Sequence, residues 1–268
     1  MVISIRTDGG EGPLNTSKAV LRKIGYRLAE YLSQPRAGTA QLATSFPEQL
    51  SAALQPGDVL LVDGSSRVSG VIKYLTQSSW SHAALFVGAG YASEDENADE
   101  KVLLEVDILE GVRLVPLSEY NTVHTRICRP AGLPAEDIQK LIAYGVERLG
   151  HKYDLKNIFD LVRYLILPTP IPTRWRRGLL KLGSGDPTRA ICSSLIAQAF
   201  QSIRYPILPE IDYQQIRDTN GQIYCKQTLK IRHHSLFVPR DFDVSPYFEI
   251  IKPVIEDGFD VKSLKWET

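Results

Sequence analysis

The amino-acid sequence predicts an α+β fold in which an antiparallel sheet packs against helices, with a helical extension at the N-terminus. Three observations favour this class. Apolar runs of strand length follow one another between residues 58 and 129, whereas most segments with helical spacing lie outside that region. This segregation disfavours a doubly wound parallel sheet, in which strands and helices would alternate. The composition, with 43% hydrophobic and 23% charged residues, is that of a globular protein.

Residues 1–50 are predicted to form the extension and residues 51–268 the main domain. Within the extension, apolar residues from Val20 to Leu32 have helical spacing, and Pro35 follows the end of that helix. The main domain is treated as one unit because no internal repeat and no clear linker divides it.

The first half of the main domain is predicted to consist mainly of strands. The turn at Gln55–Gly57 precedes the first of them, and Ser65 is a candidate cap for a helix that contains Val68 and Leu75. The acidic segment 94–100 is typical of a solvated hairpin loop. The predicted strands are 58–62, 82–88, 101–110, 112–117 and 123–129.

The second half is predicted to be mainly helical. Pro134 and Gly150 are suited to begin and end one helix, and the apolar spacing predicts two more. Residues 171–185 are irregular and basic, and the tail from Ser235 is strand-like. The predicted helices are 134–149, 155–167 and 190–203.

Charge and cysteine content exclude several classes of protein. The 268 residues include 31 basic and 31 acidic ones, so the net charge gives no reason to expect a nucleic-acid partner. The cysteines, Cys128, Cys192 and Cys225, are too few and too scattered for a disulfide scaffold or a CxxC metal site. A signal-peptide pattern and a membrane-spanning apolar run are both absent from the sequence. We therefore expect a soluble, cytoplasmic protein.

Among the three cysteines, Cys192 is the best candidate nucleophile. It lies at the start of an apolar-faced helix, after the breaker-rich run 183–187, and a helix N-terminus stabilises a thiolate. This argument weakens if the helix already begins at Asp186, because the dipole effect fades beyond the first turn. The alternative is that Cys192 is a small core residue.

A histidine and a carboxylate are needed to activate such a thiol. His82 begins an apolar strand, from which an imidazole can project into a cleft and transfer protons near neutral pH. Glu105 lies on the less apolar face of the strand that follows, where it could orient the ring. Asp107 shares that face and is the competing candidate, and a solvent-facing carboxylate is the plainer interpretation of Glu105.

Taken together, four segments resemble the permuted, NlpC-like papain-fold proteins of the YaeF/YiiX amidase type. They are Gly57–Leu61, Ser81–Gly88, Leu104–Glu105 and Cys192–Ala197. Unpermuted papain-like enzymes carry the cysteine before the histidine. The order here is the one that circular permutation would give, and the resemblance extends over about residues 55–245.

The resemblance implies a cysteine hydrolase that cleaves an amide bond in a peptide or a peptidoglycan-type linkage. Cys192 would form a thioester acyl-enzyme, His82 would transfer protons and Glu105 would hold the ring, so no cofactor or metal is required. Further candidates for binding the substrate or the oxyanion lie in or beside the resembling segments. They are Tyr153, in a segment that resembles a family segment with a tyrosine near the cleft, and Trp80 and Ser81, which directly precede His82.

Two other functions stay open at this point. The same Cys–His pair could serve a lipid-directed acyltransferase or phospholipase, or the chain could be a binding module without catalysis. Residues 163–189 carry six basic residues and one acidic residue among apolar ones, a pattern that suits peripheral contact with an anionic membrane. A lid over the cleft is the other interpretation of that segment.

Overall fold

A computed structural model describes residues 43–89, 101–107, 110–151, 191–217, 222–264 and 266, together with Arg27, Tyr31 and Gln34. Its strands are β1 (Val59–Val62), β2 (His82–Gly88), β3 (Val102–Asp107), β4 (Gly111–Pro116), β5 (Thr125–Pro130), β6 (Glu210–Arg217), β7 (Ile223–Lys230) and β8 (Phe248–Ile251). Its helices are α1 (Pro47–Ala53), α2 (Arg67–Thr76), α3 (Ala135–Val146), α4 (Ile191–Ser202), α5 (Pro239–Asp243) and α6 (Pro253–Glu256). Short 3-10 helices lie at Leu117–Tyr120, His234–Leu236 and Val261–Ser263.

Six of the strands form one antiparallel sheet in the order β4-β3-β2-β1-β5-β8. His82, the first residue of β2, lies opposite Val62, the last residue of β1. Across the next hairpin, Glu105 of β3 pairs with Arg113 of β4. Strands β6 and β7 form a separate two-stranded ribbon. The predicted α+β class and the antiparallel sheet are confirmed. Strands β1 to β4 are neighbours in sequence order, as expected of a meander, but β5 lies beside β1 and not beside β4.

Both faces of this sheet are covered, which explains why its central strands are almost continuously apolar. On one face the core includes Leu195 and Phe200 of α4 and Leu141 of α3, packed against strand residues. On the other face it includes Leu50 of α1 together with Phe86 of β2. Helix α4 contacts both β2 and β3, so its first turn is held beside the strands that carry His82 and Glu105.

The Gly57–Asp58 pair has a structural role at the entrance to β1. Gly57 has a φ of 93°, and a Cβ there would come within 3.3 Å of the Ile138 side chain. The carboxylate of Asp58 is 1% exposed and accepts hydrogen bonds from the Arg129 guanidinium at 2.9 and 2.8 Å. It also accepts one from the backbone N–H of Gln55 at 2.8 Å, which closes the turn. This part of the family-like pattern therefore anchors the sheet.

Some predicted elements need correction. The tail from Ser235 was predicted to be strand-like, but only β8 is a strand there, because Pro239 and Pro253 each begin a helix. The segment around Cys225 was assigned no element, yet Cys225 lies in β7. Helix α1 was not predicted at all.

Several other predictions fall outside the described residues. They are most of the N-terminal helix, the acidic loop 94–100, the helix 155–167 and the basic segment 163–189.

Candidate active site

Cys192 lies in helix α4 and is buried, with 5% of its surface exposed. The charge of His82, together with hydrogen bonding from its ring and from the backbone N–H of Ala83, lowers the pKa of the Cys192 thiol. The structure thus brings the predicted cysteine and the predicted histidine together.

His82 interacts with both of its predicted partners. Its Nε2 lies 2.7 Å from Oε2 of Glu105. Because that ring nitrogen faces the carboxylate, Nδ1 is the nitrogen left for the thiol of Cys192. The carboxylate that meets the ring is that of Glu105, whereas Asp107, the competing candidate, accepts a hydrogen bond from the backbone N–H of Glu110.

Glu105 is buried, with 5% exposure, so the interpretation of it as a solvent-facing carboxylate is wrong. Each of its oxygens accepts from two donors. Oε1 accepts from Nε and Nη2 of Arg113 at 2.8 and 2.7 Å, and Oε2 accepts from His82 and from the Tyr120 hydroxyl. These four donors use the full hydrogen-bonding capacity of an ionised carboxylate.

The electrostatics of the three groups favour charged forms. Burial alone would raise the pKa of Glu105, but hydrogen bonding and charge from His82, with help from Tyr120 and Arg113, lower it to about 2. Burial likewise opposes ionisation of Cys192 and His82. Their mutual attraction outweighs that cost, so the pKa of the thiol is lowered and the pKa of the imidazole is raised.

We therefore expect the rate at which iodoacetamide alkylates Cys192 to depend on pH in two steps. The thiolate forms at a midpoint below the ordinary thiol pKa of about 8.5, while His82 stays protonated. At a higher pH, above the ordinary imidazole pKa of about 6.5, His82 loses its proton and leaves an unpaired thiolate with a different rate. Mass spectrometry of the labelled peptide at each pH measures both steps. A single step near pH 8.5 would contradict the ion pair.

Trp80 and Ser81, the other described candidates, are engaged in structural contacts. The indole of Trp80 is 3% exposed and donates its N–H to Asp243 at 2.9 Å. The Ser81 hydroxyl accepts from the backbone N–H of Gly64 at 2.9 Å and ties the end of β1 to the start of β2. Their role in binding a substrate or an oxyanion stays a prediction. Tyr153 lies outside the described residues.

Sequence reasoning missed Arg113 and Tyr120, although a signal existed for the first. Arg113 is the one charged side chain within the apolar strand β4, and it lies directly across the hairpin from Glu105. A hairpin whose turn is centred on residue 109 places Glu105 and Arg113 opposite each other, so this pair could have been predicted. Tyr120 ends the 3-10 helix that follows β4, and no periodic pattern marks it.

A sheet that carries a histidine and a packed helix that carries a cysteine, in that chain order, are features of the permuted papain-like fold. Residues 53–164 match the family model described as permuted papain-like amidase enzyme, YaeF/YiiX, C92 family. Over this segment, which is less than half of the 268 residues, the chain is similar to that family. The matched residues include His82 and Glu105 and end before Cys192.

Among solved structures, the chain is similar to the crystal structure of the metalloprotein YiiX from Escherichia coli O157:H7. The two share 16% identity with a TM-score of 0.43, over 75% of this chain and 97% of that one. No curated protein matches.

Among the described residues, no group of three or more His, Cys, Asp or Glu side chains is arranged to hold a metal ion. In the same part of the chain, no helix has the length and apolar character needed to cross a bilayer.

Proposed function

We propose that this chain hydrolyses an amide bond, with Cys192 as the nucleophile and His82 as the proton-transfer group. The observation that carries the proposal is the grouping of Cys192, His82 and Glu105, assembled from one helix and two neighbouring strands. In it, His82 is hydrogen-bonded to Glu105 and interacts electrostatically with Cys192. A nucleophile beside a base that a third group orients is the arrangement that acyl transfer requires.

In the first half of the reaction, the Cys192 thiolate attacks the carbonyl carbon of the amide and forms a C–S bond. The imidazolium of His82 gives its proton to the nitrogen as the C–N bond breaks, so the amine leaves neutral and a thioester remains. The backbone N–H of Cys192 is the proposed donor to the oxyanion.

In the second half, neutral His82 accepts a proton from water, and the oxygen attacks the thioester. The C–S bond breaks, the acid is released, and the thiolate–imidazolium pair is restored. Glu105 keeps the ring in one orientation throughout, because its own four hydrogen bonds fix it. One water is consumed for each amide cleaved.

The substrate proposed is a peptide or a peptidoglycan-type γ-D-glutamyl amide, in keeping with the amidase family. The test incubates the full chain with muropeptides, with acylated peptides and with a labelled phospholipid, and quenches each reaction in acid. We expect amine release from an amide and a mass increase on Cys192 that matches the acyl group. Acyl transfer to Cys192 from the phospholipid alone would overturn the amide assignment in favour of a lipid-directed enzyme.

A matched control is available in Cys225, which is exposed on β7. The Cys225→Ala variant is expected to release amine and accumulate the acyl adduct as the wild type does. An adduct that disappears with Cys225 instead would contradict the assignment of the nucleophile.

A further inference from the structure

The carboxylate of Glu105 is held by two side chains that touch neither Cys192 nor a reacting atom in the proposed reaction. Arg113 binds Oε1 through Nε and Nη2, at 2.8 and 2.7 Å. The Tyr120 hydroxyl donates to Oε2, the same oxygen that meets His82. One carboxylate oxygen thus binds the Arg113 guanidinium, and the other binds the His82 imidazole and the Tyr120 phenol.

We propose that Arg113 and Tyr120 are positioning residues that set the orientation and the effective charge of Glu105, and through it the protonation behaviour of His82. This inference rests on the proposed function for its catalytic meaning, but the contacts that carry it are independent of any substrate.

The orientation of the Glu105 carboxylate is fixed because its two oxygens accept from different donors. With two donors on Oε1 and a phenol on Oε2, the carboxylate cannot turn about its Cγ–Cδ bond without breaking several hydrogen bonds to a charged group. The ring of Tyr120 is also nearly parallel to that of His82, with 6.5 Å between centroids and 16° between planes. Tyr120 therefore limits the imidazole on a second side.

The effective charge of Glu105 is set by the neighbouring Arg113 cation. Its charge offsets that of Glu105, so that the thiolate of Cys192 becomes the principal anion that stabilises the imidazolium. Other charged groups face the same guanidinium from the outer side, where Glu110 lies at 2.9 Å and Glu119 at 4.0 Å. Asp107 contributes a further negative charge near Arg113.

Removing the Arg113 cation is expected to make His82 hold its proton more strongly. In Arg113→Met the negative charge of Glu105 is no longer offset, so it holds the proton on His82 more strongly. The second step of the Cys192 alkylation profile is then expected to move up by about one pH unit. Arg113→Lys retains the positive charge but not the two parallel guanidinium donors. In this variant the second step of the alkylation profile is expected to lie close to its wild-type position.

Tyr120→Phe is the second variant and removes only one oxygen atom. It leaves His82 as the one donor on Oε2, so the second step is expected to rise, by less than in Arg113→Met. Freer rotation of the carboxylate is expected to lower kcat/KM about tenfold, the effect of one hydrogen bond to a charged group. This variant retains the ring and keeps the test valid if Arg113→Met does not fold.

Matched controls are Arg126→Met and Tyr205→Phe. Arg126 pairs with Asp243 at 2.6 Å, and the Tyr205 hydroxyl donates to backbone carbonyls. Each control variant therefore loses an ion pair or a hydrogen bond that does not involve Glu105. Both are expected to keep the wild-type profile. Folded Arg113→Met and Tyr120→Phe proteins whose profiles superimpose on the wild type would overturn the inference.

The alkylation profile needs no substrate, and this separates the two proposals. Shifted profiles in a protein that cleaves no amide would retain the positioning role and reject the proposed function. Unshifted profiles in an active amidase would do the reverse.

Discussion

Replacing Cys192 by alanine is expected to abolish amide hydrolysis, with a loss of about 10⁵-fold or more that reaches the limit of detection. The methyl group cannot form the thioester, and neither His82 nor Glu105 supplies another nucleophile at that point. Amine release from the best substrate found in the panel, followed by mass spectrometry, measures the loss.

Stability should change little in Cys192→Ala, because the variant removes one atom from the side chain and alanine favours helical structure. Circular dichroism and a thermal melt verify that the variant is folded. Cys225→Ala is the matched control and should retain full activity. Residual hydrolysis above about one per cent in Cys192→Ala would contradict the nucleophile.

Replacing His82 by alanine is expected to lower kcat/KM by about a thousand-fold or more. The variant loses the cation that stabilises the thiolate and also the acid that protonates the departing amine. The pKa of Cys192 should therefore rise, and its alkylation at pH 6 should slow together with hydrolysis.

Two features distinguish this effect from damage to the fold. Added imidazole should restore part of the activity of His82→Ala, because the truncation leaves room beside Glu105. His124→Gln alters another half-buried histidine, which is hydrogen-bonded to Thr44 at 2.6 Å, and should keep the wild-type rate. Unchanged Cys192 alkylation at pH 6 in His82→Ala would contradict the ion pair.

The segments that carry chemistry were largely predictable because their local patterns are strong. His82 begins a continuously apolar strand, and Cys192 begins an apolar helix after a run of breakers, so both stand out against their neighbours. Their meeting was predicted from the resemblance to a family. Apolar spacing alone defines elements and faces but not which strand end meets which helix.

The support of Glu105 was harder to predict, because it depends on strand register and on a 3-10 helix. The alternation in β3 fixes the face of Glu105, yet the residue opposite it depends on the length of the turn to β4. Tyr120 reaches Glu105 only because the chain turns back after Pro116.

The ribbon of β6 and β7 was missed for a different reason. All residues of β7 are exposed, so the strand has no buried face to produce alternation. Pairing with the main sheet gave no other clue, because among the described strands β6 and β7 pair only with each other.

We expect Cys192 to be a thiolate although the residue is buried. The most direct test of this expectation is the order in which iodoacetamide alkylates the three cysteines of the wild-type chain at pH 6, measured by quantitative mass spectrometry. Exposure favours Cys225, whereas Cys128 is fully buried and burial raises its pKa. The ion pair predicts that Cys192 reacts first and Cys128 last. Alkylation of Cys225 ahead of Cys192 would contradict the account.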